Sequence, residues 1–148
     1  MTPAGGKGGI EETVGFALAK ACRAHRGGVG AALAGMGLHV GQEMVLLQLW
    51  KEDGLKGGEL AARLGVEPPT VSRMLGRLEG CGLLERRRDP DDARSFRVCL
   101  TGKGRELRGP VEELWRGVEE RAFAGMSEEE KIVLKGLLAR VRENLAAG

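Results

Sequence analysis

The chain has no tyrosine, only two histidines and three cysteines, and no apolar run of membrane-spanning length. Each shortage excludes something. Without about 20 consecutive apolar residues there is no transmembrane helix, and with no signal peptide at the start a cytoplasmic location is expected. Cys22, Cys81 and Cys99 are too few and too scattered for a disulfide framework. Together with the two histidines they show no metal-ligand spacing, so no metal or other cofactor is expected. An enzyme would need an acid, base or nucleophile gathered in a cleft. The clustered carboxylates Asp89, Asp91 and Asp92 stand in a turn, where solvation accounts for them, so no catalytic residues are assigned.

What is present is glycine, 25 residues of the 148, and an uneven charge. The length suits one compact domain with a useful core. The net charge of +2 conceals a gradient. Residues 1–55 carry five Lys/Arg and five Asp/Glu, residues 56–105 carry 11 and seven, and residues 106–148 carry seven and nine. The middle third is therefore +4, which points to an anionic partner for that segment.

That segment also has the sharpest pattern. Leu60, Ala61 and Leu64 fall on one helical face, and Gly65 follows where a helix must stop. Pro68 and Pro69 suit the first turn of a second helix, and Val71, Met74, Leu75 and Leu78 form its apolar stripe to about Glu79. The opposite face presents Pro69, Thr70, Ser72, Arg73, Gly76 and Arg77. Small hydroxyls followed by two arginines four residues apart suit a helix lying in a DNA major groove. Residues 83–88 and 95–100 then read as two strands, joined by the turn-forming run Asp89-Pro90-Asp91-Asp92. Phe96, Val98 and Leu100 alternate with Ser95, Arg97 and Cys99. Arg94 falls near the tip of this hairpin, where it could enter a minor groove, with Asp92 placed to orient its guanidinium. Arg86, Arg87 and Arg88 cannot all face DNA, because strand residues alternate between faces. The reading is mainly α (α+β): a winged helix-turn-helix over 40–101, between helical regions at 10–36 and 102–148.

Those flanking regions carry more apolar surface than one small winged helix can cover. The first helix runs from Ile10 to Met36 across Gly27, Gly28 and Gly30, and packing must override these glycines or the helix kinks. A second, Gly41 to Glu52, lies behind the winged helix. Thr101 begins a helix in which Pro110 is expected to make a bend. Ser127 and Glu130 form a capping box for a last helix with Leu134, Leu137, Leu138, Val141 and Leu145 on one face. Residues 1–9 lack periodic apolar content and are expected to be disordered. The apolar excess points to a homodimer built by the first and last helices.

The run L-x-x-x-E-L-A-x-x-L-G-V-x-x-x-T-V-S-R from Leu55 to Arg73 continues as R-L-E-x-x-G-L-x-x-R from Arg77 and D-P-D-D-x-R-x-x-x-V-x-L-T-x-K-G from Asp89. It resembles the MarR family of bacterial transcriptional regulators. The resemblance implies a homodimeric repressor on a pseudo-palindromic double-stranded operator, with Pro69, Thr70, Ser72, Arg73, Arg77, Arg88 and Arg94 at the DNA. It also implies a cleft for an aromatic or lipophilic effector, which here would draw on His25, Leu38, His39, Met44, Trp50 and Trp115. One departure is plain: Lys56, Gly57 and Gly58 stand where the family often has a capping Thr or Ser. The family's hydroperoxide sensors place a reactive cysteine early in the first helix, near tyrosines. Here that place falls near Gly15 and there is no tyrosine, so Cys22 reads as a small buried residue and Cys81 as the thiol with better prospects of exposure. A redox sensor, or a winged helix used only for protein contacts, are the competing readings.

Overall fold

The computed structural model describes residues 8–147, so residues 1–7 of the stretch expected to be disordered lie outside the described residues. Seven helices and a three-stranded antiparallel sheet make up the described chain. No helix in it is long and apolar enough to cross a membrane.

Helix α1 spans Val14–Ala34, not Ile10 onward. Thr13 is extended and its hydroxyl accepts the Phe16 N–H at 3.1 Å, so the cap interrupts the apolar periodicity and leaves Ile10–Glu12 as a single 3₁₀ turn. The glycines inside α1 do not break it. At Gly28 a Cβ would be in ordinary van der Waals contact with Arg121, at 3.6 Å, and Val118, at 3.9 Å, so the helix packs closely against a neighbour along its glycine stretch. Helix packing thus overrides propensity. Gly37, at φ +74°, closes the helix as the Leu38 N–H reaches back to the Leu33 carbonyl.

Helix α2, Gln42–Lys51, buries Val45, Leu46 and Leu49. Its first turn is tied by its own side chains: Gln42 accepts the His39 N–H and Glu43 accepts the Gly41 N–H. A two-residue strand β1, Leu55–Lys56, precedes α3, Gly57–Leu64, and α4, Pro68–Gly80. Gly65, at φ +65°, turns the chain between α3 and α4. Strands β2, Leu84–Arg88, and β3, Phe96–Leu100, form the hairpin. The sheet order is β1-β3-β2, with Leu55 opposite Val98 and Arg86 opposite Val98 on its other side. Strand β1 was not legible as a strand, because two residues carry no period.

Leu60, Val71, Leu75, Leu78, Leu84 and Val98 are each at most 2% exposed, and they lock the two helices onto the hairpin. Each such side chain contributes roughly 1.5–3 kcal/mol relative to exposure.

After the wing, the expected single helix is two. Thr101 caps α5, Gly102–Glu106, and α6 runs Arg108–Ala122 with a junction at Leu107. Pro110 has no N–H for the Glu106 carbonyl and its ring would strike that carbonyl, so the helix restarts and Pro110 sits in the first turn of the new piece. Helix α7, Glu128–Ala146, has the expected capping box: Ser127 Oγ accepts the Glu130 N–H at 3.1 Å and Glu130 accepts the Ser127 N–H at 3.0 Å. None of its residues is buried within this single chain.

Candidate nucleic-acid interface

Helix α4 turns Val71, Leu75 and Leu78 into the core, which forces its opposite face outward. Pro69, Ser72, Arg73 and Arg77 are exposed and Thr70 is half-buried. Arg88 and Arg94 are exposed at the upper end and tip of the wing. Between α4, the start of α3 and the wing lies a concave surface enclosing about 630 Å³, lined among others by Gly57, Gly58, Pro69, Ser72, Arg94 and Phe96.

The cations of this region divide into two groups. Lys56, Arg86, Arg87 and Arg97 are each paired with a carboxylate. Among the described residues no carboxylate pairs with Arg73, Arg77, Arg88 or Arg94. The second group keeps its charge available for an anion; in the first, Lys56 and Arg97 hold the buried Asp89, whereas Arg87 and Glu85 form an exposed pair of little weight. Strand register sets the direction of each arginine in the run, not whether it is paired. Arg86 and Arg88 share the face of Val98 and Phe96, and Arg87 points the other way, beside Glu85.

Two expectations about the wing need correction. Asp92 does not hold the Arg94 guanidinium: its carboxylate accepts the Arg94 backbone N–H at 3.0 Å and the Ser95 hydroxyl at 2.9 Å. These two bonds, the backbone one first, hold Asp92 below the ordinary carboxylate range. The reason is reach: a short side chain in a tight turn finds the N–H two residues on before any guanidinium. Nor is Asp89 explained by solvation. It is 2% exposed, with its Oδ1 on the Asp91 N–H at 2.9 Å and its Oδ2 at 3.4 Å from Lys56 Nζ and 3.5 Å from Arg97 Nε. The Asp91 N–H, then Lys56 and Arg97, hold its carboxyl below the usual range although burial opposes them. Neither partner could be found from local pattern, since Lys56 and Arg97 reach Asp89 only through the sheet.

The start of α3 is capped from one side. Glu59 accepts the Lys56 N–H at 3.3 Å, but an ammonium has no lone pair to return the bond. The N–H groups of the first turn therefore remain for an outside acceptor.

The residues singled out for an effector separate. His25, Met44 and Trp115 line one cavity of about 230 Å³, with the His25 and Trp115 ring centroids 5.3 Å apart. Arg26, Val29, Val40, Gly41 and Glu43 complete it. Leu38 lies in the core, His39 is exposed, and the Trp50 indole donates to the Gly104 carbonyl at 3.0 Å instead. Glu43, 4% exposed, escaped the sequence reading because a glutamate near a helix start looks like a solvated cap. Cys22 is exposed rather than buried: it shares the helical face of Val29 and Leu33 but stands about two turns nearer the start of α1, where this single chain leaves the helix largely uncovered; Cys81 is exposed and Cys99 half-buried. No cluster of three potential metal ligands occurs among the described residues.

Comparison with known proteins places this geometry. The MarR family pattern matches residues 38–96. The HTH-type transcriptional regulator TtmR of Methylorubrum extorquens is 36% identical over 132 residues, covering 89% of this chain and 67% of that protein. The HTH-type transcriptional repressor Rv2887 of Mycobacterium tuberculosis is 28% identical, covering 86% and 92%. A probable transcriptional regulator from Pseudomonas aeruginosa superposes with a TM-score of 0.83 at 28% identity over 90% of this chain and 99% of that one. Two solved structures share the fold at lower identity. One is BpsR of Bordetella bronchiseptica, studied for regulation of its DNA binding by 6-hydroxynicotinic acid (TM-score 0.84, 24% identity, 93% and 98% covered). The other is a mutant of MarR from E. coli complexed with operator DNA (TM-score 0.81, 23%, 86% and 92%). With its helix-turn-helix, its wing and a relative of this similarity, the chain belongs to the MarR family of winged helix-turn-helix transcriptional regulators.

Proposed function

We propose that two copies of this chain bind a pseudo-palindromic operator as a repressor, each placing α4 in a major groove and Arg94 in the adjoining minor groove. The observation that carries the reading is the set of exposed, unpaired arginines, Arg73 and Arg77 on α4 and Arg94 on the wing, with Arg94 lining a concave surface that Pro69 and Ser72 of α4 also line. Arg73 and Arg77 have the planar fork that reads guanine edges, and the narrow minor groove concentrates negative potential for Arg94. Gly57 and Gly58 offer backbone N–H groups to a phosphate in place of a hydroxyl. Helix α7 supports the dimer: Ile132 is 69% exposed, Val133 60%, Leu137 48% and Leu145 77%, a surface that a second copy would cover. Two α4 helices would then stand about 34 Å apart, one duplex turn. The MarR–operator complex supports the same use of the fold.

The test is a mobility shift with the fragment the purified protein selects from genomic DNA, against unrelated competitor of equal length. Retention of the complex under excess competitor supports the reading; loss in proportion to competitor sinks it and leaves a winged helix for protein contacts.

The cavity between α1, α2 and α6 suits a one-ring aromatic effector: Trp115, Met44 and Val29 supply apolar walls, and His25, Arg26 and Glu43 supply polar contacts. A ligand there would bias the angle between α1 and the winged helix. BpsR and its aromatic effector are a parallel for this role. A thermal-shift series with phenolic and heteroaromatic acids checks it. The thiol-based reading has the exposure of Cys22 and Cys81 in its favour. It requires that DNA release by peroxide disappear in Cys22→Ser or Cys81→Ser.

A further inference from the structure

Arg86 is the wing arginine that turns onto α4 instead of outward. Its Nη2 donates to the Ser72 carbonyl at 3.1 Å, its Nε lies 3.8 Å from Glu79 Oε2, and its guanidinium covers the Phe96 ring at 5.3 Å. The backbone N–H of the same residue donates to Glu79 Oε2 at 3.1 Å. Residue 86 is thus bound to α4 by main chain and side chain together.

The surroundings are shaped for it. Ser72 is mid-helix, so its carbonyl already accepts from residue 76, and Arg86 uses the second lone pair. Residue 76 is glycine; a Cβ there would meet Arg86 Nη2 at 3.6 Å, and anything longer would stand in the guanidinium's path. On the far side Phe96 sits so close to α3 that a Cβ on Gly57 would be 2.7 Å from its Cζ. A continuous stack therefore runs from α4 through Arg86 and Phe96 to the backbone of α3.

We propose that Arg86 is a positioning residue for DNA reading, joining the Ser72 carbonyl on the recognition face of α4 to Phe96 at the base of the wing and so setting the angle between the two DNA-contacting elements. This rests on the proposed roles of α4 and Arg94. The lever is long. At about 3.3 Å per strand residue the three positions from Arg86 to Asp89, where the turn begins, span roughly 10 Å, so a tilt of about ten degrees displaces the tip by roughly 2 Å. That is enough to withdraw Arg94 from a minor groove while the hairpin stays paired and α4 stays docked.

The experiment is a double-mutant cycle on the DNA fragment that the wild-type protein selects. Arg86→Met is expected to lose on the order of ten-fold in specific affinity, the size of one lost specific contact. Combined with Arg94→Ala it is expected to lose no more than Arg94→Ala does alone, because it acts through Arg94. Footprinting is expected to show minor-groove protection lost and major-groove protection kept. Phe96→Leu removes the brace from its other side and is expected to give the same non-additivity, with thermal melts confirming that each variant folds. Additive losses, or an Arg86→Met variant that binds like wild type beside a weakened Arg94→Ala, overturn the positioning role. If Arg94→Ala itself binds like wild type, the proposed use of the wing fails and the brace falls with it.

Discussion

Lys56 and Arg97 stand directly opposite each other on β1 and β3, and the buried carboxylate of Asp89 lies within 3.5 Å of both. Like charges across a strand pair repel. The register is tolerable because an aspartate from the wing turn supplies the missing negative charge, and this joins the short strand before α3 to the base of the wing.

Asp89 therefore gives the wing an acid dependence whose direction is fixed. Its folded carboxyl is held below its unfolded value, so its stabilisation is complete above about pH 4 and is lost as pH falls through the lower folded value. Asp89→Asn is expected to melt below wild type at neutral pH, with a gap that stays constant down to about pH 4 and closes only in stronger acid. A gap that shrinks between neutrality and about pH 5 would show that another group is responsible.

Arg73 and Arg94 are expected to fail in different ways. Arg73→Ala relaxes the choice of base at one step by about 1–3 kcal/mol, read from a panel of operators altered one position at a time. Arg94→Ala weakens binding to all of them and lowers the slope of log affinity against log salt by about 1. Equal losses on every operator for Arg73→Ala would contradict base reading by that side chain.

Gly104 is a place where no side chain fits. A Cβ there would lie 2.0 Å from the Leu83 carbonyl oxygen and 3.1 Å from Leu100 Cδ2. Backbone cannot yield as a flexible side chain would, so Gly104→Ala is expected to cost at least the roughly 1–3 kcal/mol typical of overpacking. Urea unfolding measures it; an unchanged midpoint would mean that α5 is free to shift away from β2.

Helix α7 is the place to test assembly. Leu137→Asp combined with Leu138→Asp puts charge on the uncovered apolar face without touching the core of the winged helix. Sedimentation is expected to show pairs for the wild type and single chains for the double variant, since each buried leucine contributes roughly 1.5–3 kcal/mol. A double variant that still sediments as a pair would move the interface elsewhere.

The helix-turn-helix was legible because its signals are local: the stripe of Leu60, Ala61 and Leu64, the stop at Gly65, the paired prolines at Pro68 and Pro69. The hairpin announced itself through alternation at Phe96, Val98 and Leu100, and α7 through its capping box. The split at Leu107 was half legible, since Pro110 signalled a disturbance without saying on which side of it the helix would break.

By itself the order of residues determined the helix-turn-helix, the wing hairpin and the long flanking helices, which face of α4 must turn outward, and where the excess positive charge falls. Those depend on periods of two and 3.6 residues and on turn chemistry, all of which act within a few positions. Only the tertiary structure decided which arginines are spent and which are free, that Asp89 is buried, and that His25 meets Trp115 while Trp50 turns to Gly104. Those outcomes depend on contacts between residues distant in the chain, such as Lys56 with Asp89 and Ser72 with Arg86. No local periodicity encodes such contacts; they exist once the sheet has set its register and the helices have packed against it.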